Sequence, residues 1–211
     1  MKCINNGKKA AHDHLDDSVR EVARPAQVNY TNNKDLVPAH DDSNQKGDAL
    51  LTLTLDAKPQ VLDFTMVHTC SGNGDWNDNV LQDRYKRKMD KHNNAYSLKG
   101  YSFVPCVATT LGAVQADFLR LLYILARRQA EVITTYHRPD ADFDHMLGMC
   151  FAANRAKVGA AIARGMAMRA LSYCKHGVRR LRCAHHDRHA EQGLDVMGGP
   201  GIALASLAPG A

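Results

Sequence analysis

The 211-residue chain contains no Cys-x-x-Cys pair: Cys3, Cys70, Cys106, Cys150, Cys174 and Cys183 stand far apart. That spacing excludes a disulfide-framework mini-protein and favours free thiols in a reducing compartment. A secretory start is lacking as well, since MKCINNGKKAAHDH has no apolar stretch after its lysines. The expected location is therefore the nucleus or cytoplasm, and not the secreted fraction. No apolar run is long enough to span a bilayer; the longest, around Leu111–Leu125, carries Asp117 and Arg120. Collagen-like and membrane classes drop out. What remains is a soluble chain long enough to bury its core without a staple, with one compact domain as the default.

Acidic residues are scarce in one region. Between Phe151 and His189 there are nine Lys or Arg against a single acid, Asp187, a balance of +8. The rest of the chain is slightly acidic, so the net +5 conceals a polarised charge distribution. Four histidines between His176 and His189 add to the basic end at lower pH. Such a segment suits a polyanionic partner, DNA or RNA.

Periodicity organises the chain as follows. Lys8–Ala23 reads as a helix with Leu15, Val19 and Val22 on one stripe, stopped by Pro25. A strand is expected near Gln27–Tyr30. Ala49–Leu55 alternates Leu and Thr, and Gln60–His68 is β-rich; the Asp56-Ala57-Lys58-Pro59 turn between them predicts a hairpin. A charged helix should cover Asp78–Tyr96. Tyr101–Ala108 reads as a strand whose Pro105 argues for an edge or an end rather than an uninterrupted centre. Leu111–Ile133 predicts the most apolar helix, and Met146–Cys174 an Ala- and Met-rich helical region interrupted at Gly159 or Gly165. The order is an α/β fold with a mixed sheet of about four strands flanked by helices. Its expected parts are an N-terminal stub (1–11), an αβββαβ core (12–135), a basic helical extension (136–190) and a disordered tail (191–211).

The hairpin carries the clearest chemical signal. Asp63 interrupts an apolar strand, Val61-Leu62-Asp63-Phe64-Thr65, and Asp48 stands earlier in the loop-back, with fourteen residues between the two. A carboxylate in so apolar a strand is costly unless it is paired, hydrogen-bonded or bound to a cation. Two of them side by side would repel, and a hard divalent cation such as Mg²⁺ relieves that repulsion. The alternative is an Asp63 on a solvated sheet face with Asp48 in a turn. The following helix crowds Arg84, Lys86, Arg87, Lys88 and Lys91 together, with Lys88 and Lys91 on one face. A lysine near a metal-bound phosphate would stabilise developing negative charge; otherwise these residues form a solvated basic face.

These residues carry a resemblance. Lys46-Gly47-Asp48, then Asp63-Phe64-Thr65, resembles the paired acidic motifs of the PD-(D/E)xK nuclease superfamily. More narrowly, the order is similar to the restriction-endonuclease-like C-terminal domain of non-long-terminal-repeat retrotransposon reverse-transcriptase polyproteins, here without the polymerase. His12-Asp13-His14-Leu15 is similar to the His-Asp segment that precedes that domain. Lys91 to Tyr96, Phe103-Val104-Pro105 and Thr110-Leu111-Gly112 resemble its downstream run, so the likeness covers roughly His12 to Cys174. It implies metal-dependent nicking of DNA, with Asp48 and Asp63 holding Mg²⁺ (or Mn²⁺) and acting as catalytic residues. Gly47 stands where the family has proline, a position expected to be mainly conformational. Thr65 stands where it has lysine, which implies that Lys88 or Lys91 supplies the catalytic ammonium. Glu21 or Asp17 would be a lesser third acid. Arg84, Lys86, Arg87, Arg155, Lys157, Arg164, Arg179, Arg180 and Arg182 would bind phosphates. A catalytically inactive nucleic-acid-binding relic is the alternative. Cys174, Cys183, His185, His186 and His189 offer zinc-capable atoms at a spacing unlike common structural zinc sites.

Overall fold

The computed structural model describes residues 4–39, 46–52, 58–70 and 77–191, and within them the side chains outside 4–8 and 172–191. The chain divides into two compact units, residues 1–172 and 173–211. The elements in order are α1 (Ile4–Ala23), β1 (Asn29–Thr31), β2 (Ala49–Thr52), β3 (Gln60–Val67), α2 (Val80–Leu98), β4 (Ser102–Thr109), α3 (Ala116–Val132), a π turn (Ile133–His137) and α4 (Phe143–Glu191). The α/β class, the mixed sheet and its four strands are as the sequence indicates.

The sheet order is β1-β2-β3-β4, antiparallel up to β3 and parallel between β3 and β4. β4 is therefore an edge strand, which tolerates Pro105 because one side of the strand needs no ladder donor. Alternation along β3 sorts its side chains between two layers. Leu62 and Phe64 join Leu15, Val19 and Val22 of α1 and Phe118, Leu122 and Leu125 of α3 in the main core. Val61 faces the other way, against Tyr96 of α2 and Phe103 of β4. Asp63 shares the face of Val61, which directs it toward α2.

The structure departs from the expected elements at β1, at the start of α3 and along α4, besides shifts of two to four residues at the starts of α1, α2 and α4. Gln27 adopts a φ of 53°, and this left-handed turn delays β1 to Asn29. The apolar helix begins at Ala116 rather than Leu111, because Gly112 (φ 92°) turns the chain and Gln115 then caps α3. Its Oε1 accepts from the N–H groups of Asp117 (2.6 Å) and Phe118 (3.3 Å). Neither Gly159 nor Gly165 interrupts α4. Val158 and Ile162 between them enter the main core, and their burial outweighs the roughly 1 kcal/mol helix penalty of a glycine. Residues 143–172 thus pack with the core segment.

A buried polar bridge ties α1, α3 and α4 together. Gln129 donates to the Val22 carbonyl (2.6 Å) and to Asn154 Oδ1 (3.3 Å), and Asn154 Nδ2 donates to the Leu122 carbonyl (3.3 Å). Asn154 is 1 % exposed. Asn154→Ala removes both of its bonds and leaves a small void. We expect a loss of about 2–3 kcal/mol in urea unfolding.

Candidate active site

Strand register brings the two acids together. Ala49 pairs with Leu62, so one further step sets Asp48 beside Asp63 on the same face, where opposed residues of an antiparallel pair lie about 5 Å apart at Cβ. The Asp48 N–H donates to the Leu62 carbonyl (2.7 Å), and the Phe64 N–H donates to Asp48 Oδ2 (2.7 Å). The backbone of β3 therefore fixes both ends of Asp48.

Three cations surround the pair. His12 of α1 places Nε2 2.7 Å from Asp48 Oδ2, with its ring edge-on to Phe64. Lys34 places Nζ 3.2 Å from Asp48 Oδ1 and also donates to the Gly47 carbonyl (2.6 Å). Lys88 of α2 forms an ion pair with Asp63 Oδ2. Side-chain exposure is only 14 % for Lys88 and 18 % for each aspartate, so all three are largely withdrawn from water.

The acids titrate differently. Burial pushes Asp48 up, but the His12 bond and charge, the Phe64 N–H and a hydrogen bond from Asp63 outweigh it and hold the carboxyl well below the ordinary range. For Asp63, burial and the neighbouring Asp48 prevail over Lys88, so its carboxyl is raised. Two such close carboxyls cannot comfortably both ionise, and it is Asp63 whose carboxyl is the harder to ionise. His12 is raised above 6.5, chiefly by its hydrogen bond to Asp48 acting against burial. Its folded value exceeds its unfolded one, so the pair's stabilisation is complete below pH 6.5 and is lost as pH climbs through the raised value. His12→Ala should cost about 1 kcal/mol below that point and progressively less above it; urea midpoints on both sides of pH 6.5 check this.

Gly47 is a packing position here. A Cβ on it would stand 2.3 Å from Val61 Cγ1 and 3.0 Å from the Leu62 carbonyl oxygen. Its N–H donates to the buried Tyr96 hydroxyl (2.8 Å).

Lys88, rather than Lys91, reaches Asp63; Lys91 is exposed one turn on. Asp17 pairs with Arg20 and Glu21 is exposed, so neither joins the acids; α1 contributes His12 instead. Arg84 and Arg87 line a cleft beside the site, and the exposed Lys86 does not. Arg155, Lys157 and Arg164 are exposed on α4, with Arg155 over the Phe151 ring at 5.8 Å. Arg179, Arg180, Arg182 and the C-terminal Cys and His residues lie outside the described side chains, and the expected tail outside the described residues. Two contributors, His12 and Lys34, had no assigned role in the sequence reading. Only the His12-Asp13-His14 segment gave a signal; nothing marked Lys34.

Among the described residues, no group of three or more His, Cys, Asp and Glu side chains is arranged to hold a metal ion, and no helix is long and apolar enough to cross a membrane. Mg²⁺ needs less than a full protein cage, being commonly held by one or two carboxylates together with substrate phosphate. The oxygen donors of Asp48 and Asp63, close enough to share a proton, fit that requirement. No protein-family model matches the chain, and no curated protein matches it.

Proposed function

We propose that the chain is a metal-dependent DNA endonuclease-like domain of retroelement origin, resembling the restriction-endonuclease-like domain, which nicks DNA by phosphodiester hydrolysis. The observation that carries this reading is the convergence of Asp48, Asp63 and Lys88 from three elements into one small, poorly solvated locus. Asp48 and Asp63 would hold Mg²⁺ or Mn²⁺, which supplies Lewis-acid polarisation of the phosphate when bound. Lys88 takes the place left by Thr65: its ammonium lies at the carboxylates and opposes negative charge developing on the phosphoryl oxygens. His12 and the Phe64 N–H orient Asp48, so that its carboxylate stays ionised and fixed while substrate arrives. RNA as a second ligand and a nuclear or cytoplasmic setting belong to the same proposal.

A second reading, a catalytically silent nucleic-acid-binding relic, is favoured by one observation. His12, Lys34 and Lys88 already neutralise both carboxylates without a metal. Plasmid nicking in Mg²⁺ or Mn²⁺ separates the two. The nuclease reading expects supercoiled plasmid to become open circles with wild type and to persist with Asp63→Ala. Identical behaviour of the two proteins, with both still retarding DNA on a gel, leaves the relic.

A further inference from the structure

The open edge of β4 holds a second cleft, of about 410 Å³, within the roughly 300–1,000 Å³ range of small-ligand sites. α2 and α3 pack on opposite faces of the sheet, and the cleft is the space between them at that edge. Met89, Val104, Leu121 and Ile124 give it an apolar floor. The Tyr85 hydroxyl of α2 donates to Asp117 of α3 and so fixes the spacing of the two walls. The other polar groups of the lining are unused. Asn93 and Ser102 make no side-chain hydrogen bond, and Arg120, which is exposed, makes no ion pair among the described residues. Gln60 Oε1 is buried without a partner.

The backbone of β4 adds to this set. Its even-numbered residues face the β3 side: the Ser102 N–H donates to the Pro59 carbonyl (2.9 Å) and the Thr110 N–H to the Val67 carbonyl (2.9 Å). Its odd-numbered residues face outward. The Val107 carbonyl accepts from the Gln115 N–H (3.0 Å), and the Thr109 N–H donates to the Ala113 carbonyl (2.7 Å). By that parity the N–H and C=O of Phe103 point out of the edge, at the cleft. A peptide strand is a poor occupant, because Pro105 offers no N–H and residues 107–109 are already covered. One neighbouring donor and acceptor, with a primary amide beside them, suit the edge of a planar heterocycle instead. Nucleobases carry such paired donors and acceptors, and Asn and Gln amides match them two at a time. We propose that this cleft binds a nucleobase, with its edge on the Phe103 backbone, Asn93 and Gln60, its faces on the aliphatic floor and its phosphate on Arg120. Binding here requires no nuclease chemistry. A free nucleotide and an unpaired base of a strand present the same groups.

The test is isothermal titration calorimetry of the full chain with adenosine 5′-monophosphate, adenosine and a short single-stranded oligodeoxyadenylate. The monophosphate should bind at a single saturable site, about tenfold or more tighter than adenosine, as a charge-assisted bond to Arg120 provides. Arg120→Ala should bring it down to the affinity of adenosine and leave adenosine unchanged. Asn93→Leu should weaken both ligands about fivefold or more. Gln60→Met removes the unpartnered oxygen, so it should raise the urea midpoint yet weaken adenosine binding, a combination that a purely structural residue does not give. Arg138→Ala removes an exposed charge after the π turn, outside the cleft, and should change nothing. Displacement of the oligonucleotide by the monophosphate, with Asn93→Leu weakening both, places a strand's base in the cleft; an oligonucleotide that the monophosphate does not displace leaves the free nucleotide as the ligand. No saturable binding of either probe, an equal loss in Arg138→Ala, or Asn93→Leu and Gln60→Met proteins that bind adenosine as wild type does would overturn the proposal.

Discussion

Replacing Lys88 by methionine is expected to reduce nicking by on the order of 10²–10³-fold, the usual consequence of losing one preorganised group at developing charge. The same change should cost stability, in a manner that depends on pH. Lys88 and Asp63 are 14 % and 18 % exposed, so the ion pair is more consequential than a surface one. Breaking a fully buried pair costs about 3–5 kcal/mol; with this residual exposure about 2 kcal/mol is expected near neutral pH. Asp63 is already raised by burial and by Asp48, and removing Lys88 raises it further. A group with a raised folded value contributes its stability below the unfolded value and loses it as pH rises through the folded one. The penalty should therefore be small in acid, where Asp63 is neutral, and grow toward neutrality. Asp63→Asn added to Lys88→Met should restore most of the stability and none of the nicking. Urea unfolding across acidic and neutral pH, beside plasmid nicking, checks each part. A Lys88→Met protein that nicks at the wild-type rate would remove Lys88 from the chemistry.

Gly47→Pro, which installs the residue of the resembling family, should damage this protein. The proline ring removes the N–H that donates to the Tyr96 hydroxyl at 2.8 Å. Tyr96 is 1 % exposed and stacks on Phe103 at 5.4 Å, so its hydroxyl keeps the Pro38 carbonyl (3.3 Å) but gains no water in place of the lost N–H. A lost partner in a buried site costs about 1–3 kcal/mol, and the overlap with Val61 Cγ1 costs a similar amount through overpacking. The sum is about 3 kcal/mol or more, with nicking reduced because Asp48 follows directly. Gly47→Ala retains the N–H and isolates the overlap, with an expected loss of about 1–3 kcal/mol. Urea midpoints falling in the order wild type, Gly47→Ala, Gly47→Pro would bear this out. A Gly47→Pro protein as stable as wild type would show that the approach of Val61 relaxes freely.

The legible features were those set by short-range periodicity and by expensive chemistry. Leu15, Val19 and Val22 marked α1, Pro105 narrowed β4 to an edge or an end, and alternating Leu and Thr marked β2. An aspartate inside Val61–Thr65 stood out because such a residue demands a partner, and the intervening turn pointed to Asp48. Features set by tertiary contact were not legible. Gly165 reads as a helix breaker until α1 is seen packed against it. Gly47 reads as a flexible stand-in for proline until Val61 and Tyr96 are seen around it. His12 lies thirty-six positions before Asp48, and no local pattern links the two. Lys88 and Lys91 share a helical face, so only the packing of α2 on β3 distinguishes them.

Divalent-ion binding at the carboxylate pair tests the central claim most directly. Mn²⁺ titrated into the wild-type protein and followed by electron paramagnetic resonance should reveal a saturable site. That site should weaken as pH falls through the raised Asp63 carboxyl, because a protonated acid is a poor ligand. It should be absent in Asp48→Asn and in Asp63→Asn, each compared with wild type at matched helical content by circular dichroism. A saturable site that survives both substitutions, or none in the wild-type protein with DNA present, would contradict the account.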